Sequence, residues 1–408
     1  MDTTELQPAG NYPETWQRTE FDQFATLKRG KDLTRNQFRD GLVPVAGSNG
    51  AIGTHDTANV KAPGVTVGRS GSVGRVTFYA EDFWAHNTAL FVEDFHGNDP
   101  RFAAYFLDFL NLSRFRSGVS VPTLDRNVFR CLPVITPPLS EQRNIAAVLR
   151  LVQRAIEQQA RLLAQTAELK KTLLHQLFTH GLCGEPQKQT EIGLIPQSWE
   201  VVKLEKVCAF LSGGTPSKQK PEFWIGSIPW VSPKDLKKPR LADVVDHISQ
   251  AALENGSALA PAGSVFVVIR GMILARDVPV ALAEIPMAFN QDTKAIIPSS
   301  RIVPDFLLYA LEAHKKNLFQ KVGRSAHGTM TLMSIDIAQF SIPLPDKEEQ
   351  VRIADALFQI EKKMAIHRRK RDTLSDLFRT LLHELMTVSI RLHCTTELET
   401  YARYVNDE

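Results

Sequence analysis

Long apolar runs are missing from this sequence. The longest, such as Val265 to Ile269, are strand-sized, far below the roughly 20 residues that cross a bilayer, so no membrane span is expected. The polar start, Met1 to Asn11, lacks the hydrophobic segment that directs secretion. Cysteine is scarce: Cys131, Cys183, Cys208 and Cys394 share no metal-ligand or redox spacing, so reduced thiols in a cytoplasmic protein and no bound metal are the expectation. An excess of charge of one sign is lacking too. With 48 basic and 45 acidic residues the net charge is +3, which neither demands nor excludes nucleic acid; clustering decides. Apolar residues make up 43% of 408 residues, enough for more than one core.

What the chain does have is a repeat. Glu141-Gln142 returns as Glu349-Gln350, an offset of 208, and the match runs without a gap through Ile145/Ile353, Ala146/Ala354 and Leu149/Leu357 to Thr172-Leu173-Leu174-His175 against Thr380-Leu381-Leu382-His383. Over these 39 positions 13 are identical, where unrelated sequences share roughly two or three. The period is helical. Steps of four and three mark Ile145, Leu149, Val152, Ile156, Leu173 and Leu177 in the first copy. In the second they mark Ile353, Leu357, Ile360, Leu381 and Leu385, and both seams turn polar towards the centre, where His367 is equivalent to Gln159 and Arg371 to Leu163. Such a seam wants a partner helix. Neither copy contains Gly or Pro, so each predicts a rod of about 58 Å. Pro137-Pro138 and Pro343 with Pro345 stop helix upstream of the two copies, and Gly181 is placed to end the first.

Before each rod lies a block rich in glycine and β-branched residues, opened by Pro13-Glu14-Thr15-Trp16 and by Pro196-Gln197-Ser198-Trp199. The second block is 25 residues longer. Short strands joined by tight turns are expected through Val65 to Tyr79, a strand ending in a basic turn over Gly263 to Gly271 and another strand over Ala288 to Ile297, with helices at Arg101 to Leu110 and Asp305 to Phe319. The domain division that follows is 13–138, a rod over 139–180, 190–345, a rod over 346–390, and a tail, 391–408. The fold class is α+β: two β-rich domains and two long helices packed as an antiparallel coiled coil, an internal repeat. Ile145, Leu149 and Val152 are then expected against Leu381 and Leu385, Ile353, Leu357 and Ile360 against Leu173 and Leu177, and the polar residues near the crossing. A rod of this size suits two readers on one face of B-DNA, whose equivalent major-groove faces recur about every 34 Å.

At this point the residues resemble a family. The layout is similar to the specificity subunit of type I restriction–modification systems over nearly the whole chain. The resemblance is carried by Ile195-Pro196-Gln197-Ser198-Trp199-Glu200, by Gly213-Gly214-Thr215-Pro216-Ser217 through Phe223 to Val231, and by Pro343-Leu344-Pro345 leading into Glu349-Gln350-Val351-Arg352-Ile353-Ala354. In the first block Gly47-Ser48-Asn49-Gly50 and Gly71-Ser72-Val73-Gly74 also fit, while the Ile-Pro pair before its opening motif is missing and nothing after Leu392 matches. The resemblance implies a non-catalytic reader of double-stranded DNA with two target-recognition domains and a split, asymmetric target. It implies docking of two adenine methyltransferase subunits and of restriction/translocase subunits. S-adenosylmethionine, ATP and Mg²⁺ are then expected on those partners, with no cofactor and no catalytic residue on this chain.

The residues agree with that division of labour. No Asn-Pro-Pro-aromatic or Asp-Pro-Pro-aromatic motif is present, Gly68 to Gly74 lacks the Gly-Lys-Ser/Thr ending of a phosphate loop, and His383-Glu384 meets Thr387 where a zinc helix needs its second histidine. Pro221-Glu222 with Asp235-Leu236-Lys237 imitates the acids and lysine of a metal-dependent nuclease, but lies inside the stretch that carries the resemblance. An autonomous dimeric DNA-binding regulator is the other alternative, and it lacks a helix-turn-helix signature. DNA-binding candidates follow from charge, hydrogen-bonding groups and glycine. In the first block they are Ser48, Asn49, Arg69, Ser70, Ser72, Arg75, Arg114, Arg116 and Thr123. In the second they are Lys218, Lys220 and Lys234, which with Lys237 and Lys238 favour backbone contact, Arg270, Gln291, Arg324 and His327, which suit base edges, and Lys294. Lys362, Lys363, Arg368, Arg369, Lys370 and Arg371 form the densest basic run, on the second rod.

Overall fold

The computed structural model describes residues 6–7, 12–118, 122–324 and 328–391. Two helices without glycine or proline dominate the secondary structure, Leu139–His180 and Lys347–Met386. The first ends at Gly181, whose φ of +63° is the left-handed conformation that favours glycine. A Cβ there would also lie 2.9 Å from Glu349 Oε1 and 3.0 Å from Pro196 Cγ. Among the described residues no helix is long and apolar enough to cross a membrane.

The chain folds as two compact units, Met1–Arg161 with Arg368–Glu408, and Leu162–His367. The boundary therefore falls inside both long helices. In the first unit the beginning of one helix packs with the end of the other: Ile145, Ala146 and Leu149 share a core with Leu382, Leu385 and Met386. In the second the roles exchange, and Leu174, Leu177 and Phe178 pack with Ile353, Ala354 and Leu357. Each pairing requires antiparallel helices, as the seam predicts. The stripe is wider than the seam, however. Leu174 and Leu382 are buried while their neighbours Leu173 and Leu381 are only partly so. A straight helix turns once per 3.6 residues, so the buried line drifts off a strict 3.5-residue pattern. Of the residues expected at the crossing, Gln159 and Arg371 belong to the first unit and Leu163 and His367 to the second.

In the first unit a four-stranded sheet runs Thr26–Arg29, Ala89–Asp94, Gly64–Gly68, Val76–Tyr79. The second repeats it as Cys208–Ser212, Thr293–Pro298, Val265–Val268, Val280–Ala283, with Arg240–Leu241 added as a fifth strand. The central strands Gly64–Gly68 and Val265–Val268 are buried at every residue; the second accordingly reads as a continuous apolar run, while the first carries a buried Thr66 at its centre. Each unit also has a smaller sheet with one parallel pair, Val45 and Ala46 beside Trp84 and Ala85, and Trp230 and Val231 beside Ala288 and Phe289. The single strand expected over Ala288 to Ile297 is two, Met287–Phe289 and Thr293–Pro298. Asn290 Oδ1 accepts from Asp292 N at 3.2 Å, a side-chain turn that interrupts the extended chain.

One helix covers each sheet, Pro100–Leu110 and Pro304–Ala313, both with proline in the first turn. The segment expected to be helical to Phe319 breaks at His314 and resumes over Lys315–Phe319. The duplicated Glu-Gln pair fastens these parts together. Trp16 Nε1 donates to Glu141 Oε2 at 3.2 Å, and Trp199 Nε1 to Glu349 Oε2 at 2.9 Å. Gln142 donates to Pro137 O at 2.9 Å and accepts from Asp99 N at 2.9 Å, at the head of the covering helix. Gln350 does the same with Pro345 O at 3.0 Å and Val303 N at 2.8 Å. Both glutamines are buried, and each satisfies a backbone donor and acceptor that would otherwise be costly to bury.

Candidate nucleic-acid interface

The first unit's central strand ends at Gly68, where a Cβ would meet Ser72 O at 2.0 Å and Ser48 O at 2.6 Å. Only glycine lets the turn and the Ser48 loop close on the strand this tightly. The turn Arg69 to Arg75 folds back through Gly74 N to Gly68 O, 2.7 Å, with Gly71 and Gly74 at φ of +84° and +81°. Beyond the strand, Arg69 N and Ser70 N both donate to Thr88 O, at 2.8 and 3.2 Å. Arg69 O accepts from Leu124 N at 2.8 Å, and Ser70 bridges to Thr123. Three segments thus meet at one point: the strand end, the approach to the next strand, and a two-stranded ribbon, Arg116–Ser117 with Thr123–Leu124.

The second unit builds the same junction. Ile269 N and Arg270 N both donate to Asp292 O, at 2.8 and 3.2 Å; Ile269 O accepts from Leu332 N at 2.9 Å, and Arg270 bridges to Thr331. Its ribbon pairs Gly323–Arg324 with Met330–Thr331. The equivalences are then Arg69 with Ile269, Ser70 with Arg270, and Thr88 with Asp292. Gly30 and Gly213 extend them, since a Cβ on Gly30 would meet His86 O and Ala85 O, and one on Gly213 would meet Phe289 O and Asn290 O. Alongside, Asn87 Nδ2 donates to Asp32 in one unit and Thr215 Oγ1 to Gln291 in the other. The backbone is repeated; the side chains are not.

The chain matches, over residues 13–165 and 196–376, the family model described as the type I restriction modification DNA specificity domain. It belongs to that family. A stretch of 156 residues, 38% of this chain and 39% of the relative, is 35% identical to the type I restriction enzyme EcoR124I/EcoR124II specificity subunit of Escherichia coli. Another of 174 residues, 42% of the chain and 39% of the relative, is 30% identical to the type I restriction enzyme MjaIX specificity subunit of Methanocaldococcus jannaschii. These matches span about two fifths of each relative's length. The fold is similar to the crystal structure of the type I restriction–modification system S subunit from M. genitalium, with a TM-score of 0.64 and 17% identity over 96% of this chain and 99% of that one.

Within this specificity-domain chain the candidate residues fall into distinct groups. Ser48, Arg69, Ser70, Ser72 and Thr123 gather at the first junction, with exposed Asn49 beside Ser48 and exposed Arg116 on the ribbon. Arg69 is half-turned inward, its guanidinium 3.4 Å from Asn87 O. Arg75 closes the turn through its carbonyl, 2.8 Å from Gly68 N. Arg114 points the other way, donating to Leu6 O at 2.5 Å and lying 4.9 Å over the Phe115 ring; burial holds its pKa below the ordinary arginine value.

In the second unit Arg270, Gln291 and Arg324 gather at the junction, and all three are exposed. Lys294 reaches Ser212 Oγ at 2.7 Å on the neighbouring strand. Lys218 and Lys220 are exposed on the following loop, Lys220 Nζ lying 4.9 Å from the Phe223 ring centre. Lys234 is paired with Asp246 at 2.6 Å, a hydrogen bond that raises its pKa. His327 lies outside the described residues. Asp235, part of the nuclease-like pattern, spends its carboxylate on Ser232, accepting from its N and Oγ at 2.9 Å each. On the second long helix Lys362, Lys363, Arg368, Arg369 and Lys370 are exposed, while Arg371 bonds Asp372 at 2.7 Å. Sequence reasoning missed Thr88 and Asp292, whose carbonyls organise the two junctions; neither stands in a motif.

Proposed function

We propose that this chain is a non-catalytic DNA-recognition subunit that reads a split, asymmetric target, one half-site per unit. The observation that carries the reading is the junction built twice on one backbone pattern with different side chains at equivalent positions, Ser70 and Thr88 against Arg270 and Asp292. Equivalent frames present equivalent edges to DNA, and unlike side chains select unlike bases. Ser48, Asn49, Arg69, Ser70, Ser72, Arg116 and Thr123 serve the first half-site. Lys218, Lys220, Arg270, Gln291, Lys294 and Arg324 serve the second. Partners supply the chemistry: two adenine methyltransferase subunits holding S-adenosylmethionine, and restriction/translocase subunits using ATP and Mg²⁺.

Exchange of Pro13 to Cys131 for the corresponding region of a relative, followed by mapping of methylated adenines made by the assembled complex, tests this. One half of the methylated target is expected to change while the other stays. A change in both halves, an unsplit target, or failure to assemble with a methyltransferase overturns it.

A further inference from the structure

One difference between the two junctions, Ser70 against Arg270, has a specific chemical meaning. Arg270 is fastened through its backbone on both sides, by N to Asp292 O at 3.2 Å and by the bridge to Thr331. Its side chain is nonetheless 58% exposed, and its guanidinium lies 3.8 Å from the Asp292 carboxylate. The next residue, Gly271, has φ of +136°, a conformation that L side chains rarely adopt, and its N donates to Met330 O at 3.1 Å. The backbone thus fixes where the side chain starts, the Asp292 carboxylate biases its direction, and the exposed fork remains available to a ligand. At the equivalent place the first unit has Ser70 and Thr88, two hydroxyls and no charge.

A carboxylate beside the guanidinium decides between the two ways an arginine meets DNA. Phosphate contact would bring an anion up to Asp292, against like-charge repulsion. A guanine edge offers O6 and N7, two acceptors that match the guanidinium fork, and its paired cytosine offers the N4 amine that a carboxylate accepts. One G·C pair therefore satisfies both side chains. We infer that Arg270, oriented by Asp292, is a specificity-determining residue that reads the guanine of a G·C pair in the second unit's half-site, and that the first unit, with Ser70 and Thr88 there, sets no such requirement. This rests on the reading of each unit as a half-site reader.

The test uses the full chain assembled with its methyltransferase partner and compares wild type with Arg270→Ala, Arg270→Lys and Asp292→Asn. Methylated adenines are mapped, and binding is measured on duplexes in which each G·C pair of the second half-site is replaced in turn. Arg270→Ala is expected to relax one G·C position, with discrimination there falling about tenfold to a hundredfold, and to leave the first half-site unchanged. Arg270→Lys keeps the charge but not the fork, so it relaxes the same position with the wild-type salt dependence. Asp292→Asn relaxes that position less. If Arg270→Ala instead weakens binding to every duplex equally and lowers the salt slope by about one, the residue is a phosphate contact and the assignment falls. An unchanged target overturns it as well. A wild-type complex with no split target would overturn the parent reading, an outcome distinct from a split target that the variants leave untouched.

Discussion

At the scale of single residues, the fold spends polar side chains where backbone would otherwise be stranded, and one titratable group makes that visible. His314, at the break after the second covering helix, bonds Ala310 O through Nδ1 at 3.0 Å and faces the Phe178 ring at 6.0 Å. Burial lowers its pKa from the ordinary 6.5, against the opposing pull of that carbonyl. A group whose folded pKa is depressed contributes stability above its unfolded pKa, and that contribution is lost as pH falls through the folded pKa. The urea midpoint of the second unit's unfolding is therefore expected to drop from pH 7.5 to pH 5.5, and His314→Gln to lessen that drop. Equal drops in both proteins would remove His314 as the cause. How far the sequence shows this layer varies from residue to residue. Glu141-Gln142 and Glu349-Gln350 announce themselves because their roles in the two copies are the same, so the residues are too. Thr88 and Asp292 act through main-chain oxygens, which any residue supplies, so nothing in their side chains marks the equivalence.

At the scale of elements, the two copies of helix-on-helix packing are the same design with different chemistry. In the first unit Tyr105 donates to Gln153 at 2.7 Å and meets the Phe378 ring at 5.8 Å; burial pushes its pKa up to about 12. In the second Tyr309 donates to Glu361 at 2.9 Å, and Lys170 Nζ lies 5.6 Å over its ring. Glu361 is the repeat partner of Gln153, and Lys170 that of Phe378, at the offset of 208. A neutral contact has thus become a charged one: Lys170 reaches Glu361 and Glu312 at 2.8 Å each, and Arg240, on the added strand, reaches Glu361 at 3.3 Å. Burial works to lower the Lys170 pKa, and the two carboxylates outweigh it, leaving it raised. With Lys170 and Glu361 only 12% and 11% exposed, removing Lys170 strips the nearly buried Glu361 of one of its two cations and leaves it Arg240 and the Tyr309 hydroxyl. Lys170→Met is expected to cost about 2 kcal/mol in urea unfolding, and adding Glu361→Gln to recover part of it. A double variant no more stable than the single one would show that Glu361 was never left uncompensated. The helices themselves were legible from their apolar period and missing breakers. Leu174 and Leu382 were not, because a pattern stepped at 3.5 residues slides off a helix of 3.6.

At the scale of the whole molecule, each unit takes one end of each long helix, and the boundary crosses both helices where their turns are unbroken. This organisation could be read from the repeat, because helical seams tolerate exchange among apolar residues and keep their period. The repeat of the β-rich blocks could not be read beyond the Pro-x-x-Trp openings. Strand pairing and the junctions are carried by backbone bonds, and the faces that differ, Ser70 against Arg270, are those expected to select bases. If the helices set the separation of the half-sites, length in a helix is a control on the DNA target independent of the residues that read it. Four residues inserted after Gln159 add about 6 Å and slightly more than one turn, so the apolar seam is approximately kept. The methylated target is expected to retain both half-sites and to lengthen only its non-specific gap. The readout is the map of methylated adenines made by the assembled complex, with the junction residues untouched as an internal control on recognition. A gap that stays fixed in a complex that still methylates both half-sites would show that the helix does not set the spacing.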